Sequence, residues 1–178
     1  MRSRILQVVL IVGWVALAAE TGFSCSVGVV SGPLPNTLEW TKLMVDRANV
    51  ILRVTAVDYA VPPQGTSRTT VVFEPQVRFT VTEVVKGTYT EANLTFPGNL
   101  TEVDEWNPGS SPYTGPRATA SGACYSNSYR KGGQFLLMLV GSTGGYSPNV
   151  LPLSPSNEQL HSAEDPWLLW VREEVKRK

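Results

Sequence analysis

Thiol, imidazole and carboxylate side chains are the groups through which this sequence could do chemistry, and the first two are scarce. The chain has two cysteines, Cys25 and Cys124, and one histidine, His161. A structural zinc site needs four thiolate or imidazole ligands, and no histidine pair is present to build a catalytic zinc site. The sequence also lacks a G-x-S-x-G, an H-E-x-x-H and a phosphate-binding loop. We therefore expect no metal, no cofactor, no catalytic residues and a protein that is not an enzyme.

Residues 1–24 have the composition of a secretory signal peptide. Two arginines precede an apolar segment over 5–19, and small residues follow it. This segment is shorter than the roughly 20 apolar residues of a membrane-spanning helix. Small residues favour cleavage after either Ala18 or Ser24. The sequence thus predicts export, giving a secreted, periplasmic or otherwise extracellular protein.

The mature chain, 25–178, is long enough for one domain with its own hydrophobic core. The formal net charge of the whole chain is zero at pH 7. Because phosphate binding requires a basic surface, a nucleic-acid partner is not expected. Membrane attachment is expected only if Cys25 is acylated as in a lipoprotein.

Two cysteines in an exported chain are most simply explained by one disulfide. A bond between Cys25 and Cys124 would close a loop of about 100 residues and add up to about 4–5 kcal/mol of stability on the chain-entropy model. The alternative is two free thiols, which an oxidising compartment disfavours.

Hydrophobic periodicity predicts a mainly β protein with a helix near each end of the mature chain. Strands are expected at 49–60, 70–87, 91–98, 135–140 and 149–153, and helices at 36–48 and 164–177. In the first strand Val50, Leu52 and Val54 share a face, whereas 135–140 is continuously apolar, which is typical of a strand buried on both faces. In the first helix Trp40, Leu43, Met44 and Arg47 are expected on the packed side.

The stretch 98–123 is rich in Gly, Pro, Ser and Thr and is predicted to be a long loop. It carries Trp106 and Tyr113, whose exposed rings would suit a glycan or a peptide. The alternative is that both rings pack the loop onto the domain. The acidic residues Glu102, Asp104 and Glu105 do not match a calcium-loop pattern and are expected to be solvated.

The order of these elements and two short motifs resemble the netrin-like/TIMP-like (tissue inhibitor of metalloproteinases-like) module. The first motif, V-x-E-V-x-K-G, is matched by 81–87 at the end of the second strand. The second, F-x-x-G-x-x-Y-L-V after a cysteine, is matched by Tyr129, Gly132, Phe135, Leu136 and Leu137. The resemblance covers about 25–140. It implies an OB-like antiparallel barrel of about five to six strands, with a short N-terminal helix and a C-terminal helix packed on it.

The resemblance also implies one specific mechanism, which is inhibition of a metalloprotease. Tissue inhibitors of metalloproteinases chelate the zinc of their target enzyme through the α-amino group and carbonyl of an N-terminal cysteine. Cleavage after Ser24 would make Cys25 the first residue, and Cys25, Ser26 and Val27 would form an inhibitory edge that lies along the protease cleft. Cleavage after Ala18 would leave extra residues in front of Cys25 and would prevent chelation.

We expect an exported, non-catalytic binding module with an unidentified protein or glycan partner, and consider two more specific functions. One is inhibition of a metalloprotease through Cys25. The other is glycan or peptide binding, or adhesion at a cell surface, through the loop that contains Trp106 and Tyr113.

Overall fold

The computed structural model describes residues 37–62, 75–115, 117, 127–142, 145–148 and 155–177. Its elements, in chain order, are α1 (Thr37–Arg47), β1 (Val50–Val61), β2 (Gln76–Lys86), β3 (Asn93–Pro97), β4 (Asn99–Thr101), β5 (Ser128–Arg130), β6 (Gln134–Ser142), β7 (Gly145–Pro148), β8 (Asn157–Leu160) and α2 (Pro166–Lys176). No described helix is long and apolar enough to cross a membrane. The expectation of a mainly β fold with two helices is confirmed.

Six of the described strands form one antiparallel sheet in the order β3-β2-β1-β6-β7, with β8 pairing beside β7 on the edge of β6 opposite to β1. The short strands β4 and β5 form a separate parallel pair. Strands β1 and β6 therefore lie at the centre of the sheet. This position explains the apolar run in β6, because a central strand is covered on both faces.

Two hydrophobic clusters cover the opposite faces of these central strands. The inner cluster contains the predicted face of β1 together with side chains from β2, β3, β5 and β6, and Phe79 lies among its aromatic rings. The ring centroid of Phe79 is 4.9 Å from that of Tyr129 and 6.3 Å from that of Phe135, both in edge-to-face geometry. The helix-side cluster joins α1 and α2 to Ile51, Leu136 and Met138.

The packed face of α1 differs from the predicted one. Its buried residues are Thr41, Met44 and Val45. In contrast, Arg47 is exposed, and Trp40 and Leu43 are only half-buried. Thr41 is buried because its hydroxyl donates a 2.7 Å hydrogen bond to the carbonyl of Tyr113. A polar residue with such a tertiary partner can occupy the core, which hydrophobic periodicity does not reveal.

The C-terminal helix agrees closely with the sequence. Asp165 caps it by accepting a 2.8 Å hydrogen bond from the backbone N–H of Trp167, and Pro166 is its first residue. Trp167 and Val171 lie in the helix-side cluster. On the half-buried flank, Arg172 binds both carboxylate oxygens of Glu83 on β2, at 2.9 and 2.7 Å through Nη2.

Four short strands were not expected. Strand β4 lies inside the stretch predicted to be a loop, β5 and β7 flank β6, and β8 occupies the polar sequence Asn157–Leu160. All four residues of β8 are buried. The strand predicted at 149–153, and the 70–74 part of the second strand, lie outside the described residues.

Candidate functional site

The two cysteines and the predicted inhibitory edge cannot be placed. Cys25, Ser26, Val27 and Cys124 all lie outside the described residues. The disulfide and the zinc-chelating mechanism therefore stay predictions.

The two aromatic residues of the predicted ligand loop have different environments. Tyr113 is 6% exposed, and its ring centroid lies 5.1 Å from that of Trp167 in the helix-side cluster. Of the two alternatives, packing of the ring onto the domain therefore applies to Tyr113. Trp106 is half-buried and stacks on the exposed imidazole of His161, with 3.5 Å between ring centroids and 17° between planes. Only Trp106 thus keeps part of its ring at the surface.

Two of the three loop acids are ion-paired. Asp104 lies 3.2 Å from a guanidinium nitrogen of Arg130, and Glu105 lies 3.1 Å from one of Arg117. Glu102 is exposed, as expected. Across the part of the chain that the structure describes, no group of three potential metal ligands is found.

A buried polar network joins the same loop to β8. Arg117 is 1% exposed, and its side chain donates to Glu105 and to the backbone carbonyls of Asn157 and Ser128. Its guanidinium carbon also lies 5.4 Å from the ring centroid of Tyr129. One side chain therefore links the loop, β5 and β8.

Glu158 is the acidic centre of this network and is fully buried. Its carboxylate accepts 3.0 Å hydrogen bonds from the backbone N–H of Arg117 and from the Asn107 amide. Burial raises the pKa of Glu158 to about 7, although the Asn107 hydrogen bond and the Arg117 charge act in the opposite direction. Burial likewise lowers the pKa of Arg117.

The arrangement of this network indicates a structural role. Both groups found to donate to the Glu158 carboxylate among the described residues belong to the loop, at Asn107 and Arg117, so the carboxyl holds the loop against β8. Removing the Glu158 carboxyl would leave the buried Arg117 N–H without its acceptor, which typically costs about 1–3 kcal/mol for each unsatisfied group. Sequence reasoning missed both Arg117 and Glu158, which lie far apart in polar stretches without periodicity.

A surface cleft of about 510 Å³ lies elsewhere, between the β2–β3 edge and β7. Its lining residues are Arg78, Tyr89, Glu91, Asn93, Leu94, Thr95, Gly145 and Tyr146. The volume falls within the range of about 300–1,000 Å³ that is usual for small-ligand sites. The cleft contains two aromatic rings and both signs of charge.

The two tyrosines are held in place by their neighbours. Their ring centroids are 5.7 Å apart at a tilt of 53°. The hydroxyl of Tyr89 donates a 3.1 Å hydrogen bond to the carbonyl of Asn93, while Tyr146 remains 43% exposed. Burial, followed by the charge of Glu91, raises the pKa of the Tyr89 phenol. The Tyr89 ring is thus held in a fixed position on one side of the cleft, and the Tyr146 ring is accessible to a ligand.

No sequence motif marks the cleft, because its residues come from β2, β3, β7 and the turn after β2. The sequence feature that bears on the cleft is the alternation of polar and apolar residues in β3, which places Asn93 and Thr95 on the face opposite to Leu94. That alternation says which residues face outward. It does not say that Tyr146 lies beside them.

Comparison of the chain with protein-family models, with curated proteins and with solved structures finds no match. A functional proposal must therefore come from the chemistry of the surfaces described above.

Proposed function

We propose that this chain is an exported, non-catalytic binding module and that the cleft between β3 and β7 is its ligand site. The observation that supports this proposal is the cleft itself. It has a volume of about 510 Å³, an accessible aromatic ring at Tyr146, and polar groups at its edges. Apolar and aromatic walls with a few fixed polar groups are the usual features of a ligand site.

The cleft also favours an OB-like barrel as the scaffold. Strands β3 and β7 lie at opposite ends of the strand order β3-β2-β1-β6-β7, yet both line the same cleft. A sheet whose two ends approach each other is strongly curved, as the strands of a barrel are. This curvature supports the proposal of an OB-like barrel.

Export, the Cys25–Cys124 disulfide and inhibition of a metalloprotease remain parts of the hypothesis that depend on residues outside the described ranges. The cleft does not depend on them. A glycan or a peptide is the partner class that its tyrosines and charged groups suit, because both ligand classes combine flat apolar surface with hydrogen-bonding groups.

The test is a titration of the full chain against binders selected from a glycan array and from a random heptapeptide library. We expect Tyr146→Ala to weaken binding at least tenfold, since aromatic anchors commonly contribute about 2 kcal/mol or more. Leu169→Ala on α2 is the matched control, because Leu169 is 40% exposed, similar to Tyr146 at 43%, but does not line the cleft. Thermal unfolding should be near wild type for both variants.

Trp106→Ala separates the cleft from the loop surface. If binding depends on Trp106 and is indifferent to Tyr146, the ligand site is the loop and the cleft proposal is wrong. If neither probe set yields a binder that is sensitive to either substitution, the binding-module proposal itself fails.

A further inference from the structure

Strand β3 is an edge strand that borders the cleft. Among the strands that the structure describes, it pairs with β2 alone, through five register positions from Gln76↔Pro97 to Thr80↔Asn93. Its other side runs along the cleft, where Asn93, Leu94 and Thr95 are lining residues. An edge of this kind can pair with another extended chain.

The hydrogen bonds at both ends of the β2–β3 ladder determine which backbone groups face that edge. The N–H of Val81 donates to the carbonyl of Ala92 at 2.9 Å, and the N–H of Gly98 donates to the carbonyl of Pro75 at 2.9 Å. Hydrogen-bonded and non-hydrogen-bonded pairs alternate in an antiparallel ladder. Counting inward from either end gives the same result: Thr95 occupies a non-hydrogen-bonded pair.

Residues in non-hydrogen-bonded pairs direct their backbone N–H and C=O away from the partner strand. The N–H and C=O of Thr95, and the N–H of Asn93, therefore point towards the open edge. An independent contact agrees with this assignment, because the Asn93 carbonyl accepts its 3.1 Å hydrogen bond from Tyr89, a residue of the cleft and not of β2.

The side chains along this edge specify the chemistry of an added strand. Arg78 lies opposite Thr95 in register and is exposed, so an acidic side chain beside Thr95 would meet a guanidinium group. Glu91 also lines the cleft and would attract a basic side chain. The exposed ring of Tyr146 offers a surface for an apolar residue.

We infer that the ligand of the cleft is an extended peptide segment of a partner protein that adds to β3 as a further strand, with an acidic residue towards Arg78 and a basic residue towards Glu91. This inference rests on the proposed function of the cleft and names its ligand class. Backbone hydrogen bonds from β3 give the affinity, and the charged and aromatic side chains give the specificity.

Thr95→Pro in the full chain is the decisive variant. Proline removes the outward N–H of Thr95 and leaves the hydrogen-bonded pairs with β2 intact, an arrangement that edge strands tolerate. Thr95→Val is the matched control, because it keeps the N–H. Both substitutions also remove the Asn93-Leu94-Thr95 glycosylation sequon equally, so a glycan cannot account for a difference between them.

The probe is the tightest synthetic peptide derived from the heptapeptide library, used alongside two copies that are N-methylated at its odd-numbered and at its even-numbered residues, because only one of these sets can face β3. We expect Thr95→Pro to bind about tenfold or more weakly than Thr95→Val, and N-methylation of the set that faces β3 to abolish binding. Circular dichroism and thermal unfolding check that Thr95→Pro is folded. If that variant is unfolded, the N-methylated peptides alone decide the result.

The outcomes separate this inference from the proposed function. Binding of an oligosaccharide that requires Tyr146 but is unaffected by Thr95→Pro retains the cleft as a ligand site and overturns strand addition. Concentration-dependent dimerisation that Thr95→Pro abolishes overturns the partner peptide in favour of a second copy of this chain. A peptide of which both N-methylated copies bind as well as the parent also overturns the inference.

Discussion

Glu158 shows how strongly the environment of a single side chain can differ from what its sequence neighbours suggest. It lies in the polar segment Ser156–Gln159, yet this whole segment is buried. Its carboxyl group receives two hydrogen bonds from the loop, but burial still raises its pKa to about 7. The protonation state of one buried group is thereby coupled to the attachment of the loop.

This coupling predicts a pH dependence of stability. The folded-state pKa of about 7 lies above the ordinary carboxyl value of 4.5, so the folded protein binds the proton more tightly than the unfolded chain does. The corresponding stabilisation is complete below about pH 4.5 and is lost as the pH rises through about 7, with a total on the order of 3 kcal/mol. Urea unfolding of the wild type and of Glu158→Gln at intervals between pH 4.5 and 8 measures it.

We expect the free energy of unfolding of Glu158→Gln to change less across this interval than that of the wild type. The remaining ionisable groups are common to both proteins, so their contributions cancel in the difference. Equal slopes for the two proteins would show that Glu158 does not titrate in the interval.

At the scale of elements, the last two residues of the V-x-E-V-x-K-G motif at the end of β2 contact the end of α1 and the short segment that follows it. The ammonium group of Lys86 donates to the carbonyls of Val45 and Asp46 at 2.7 and 2.9 Å, which satisfies acceptors at the C-terminal end of the helix. The next residue, Gly87, has φ of +76° and approaches the backbone of Asn49. Both residues thus connect β2 to the α1–β1 junction.

Gly87 and Gly132 form a matched pair for testing this contact. Both have a positive φ, +76° and +75°, but a Cβ on Gly87 would lie only 2.2 Å from the Asn49 carbonyl oxygen, while nothing lies within 4 Å of one on Gly132. We expect Gly132→Ala to cost about 1–2 kcal/mol from backbone strain alone. Gly87→Ala should cost about 1–3 kcal/mol more, because the backbone must also move.

Chemical denaturation of the two variants provides the comparison. Similar losses of stability would mean that the backbone at Asn49 can move to accommodate a Cβ without loss of stability. Gly87 would then be needed only for its backbone conformation.

Elements with strong periodicity were predictable, and short elements defined by their partners were not. The β1 face of Val50, Leu52 and Val54 and the doubly buried β6 are confirmed, because these patterns depend only on local alternation and burial. Strand β8 has no such pattern. It is a strand because it pairs with β6 and because Arg117 and Asn107 donate to the Asn157 carbonyl and to the Glu158 carboxylate.

At the scale of the whole molecule, the expected disulfide provides the test of export. If Cys25 and Cys124 are joined, the exported form should resist alkylation unless it is first reduced. Cys25→Ser, Cys124→Ser and the double variant should all lose a similar amount of stability, up to about 4–5 kcal/mol, because each removes the same cross-link.

The mass of the exported protein before and after reduction, with and without an alkylating reagent, measures both the bond and the cleavage site. A double variant that loses the sum of the two single effects would indicate two independent thiols. Reaction of both cysteines without reduction would contradict the oxidised, exported form.

The sequence by itself determined the balance of strands and helices and the buried faces of β1 and β6, because these follow from interactions between residues close together in the chain. Only the tertiary structure decided that Tyr113 is buried, that Arg117 meets Glu158, and that Tyr146 lies beside β3. Such pairings join residues about 40 or more positions apart. Their energies depend on desolvation and on hydrogen-bond geometry that exist only once the sheet is assembled.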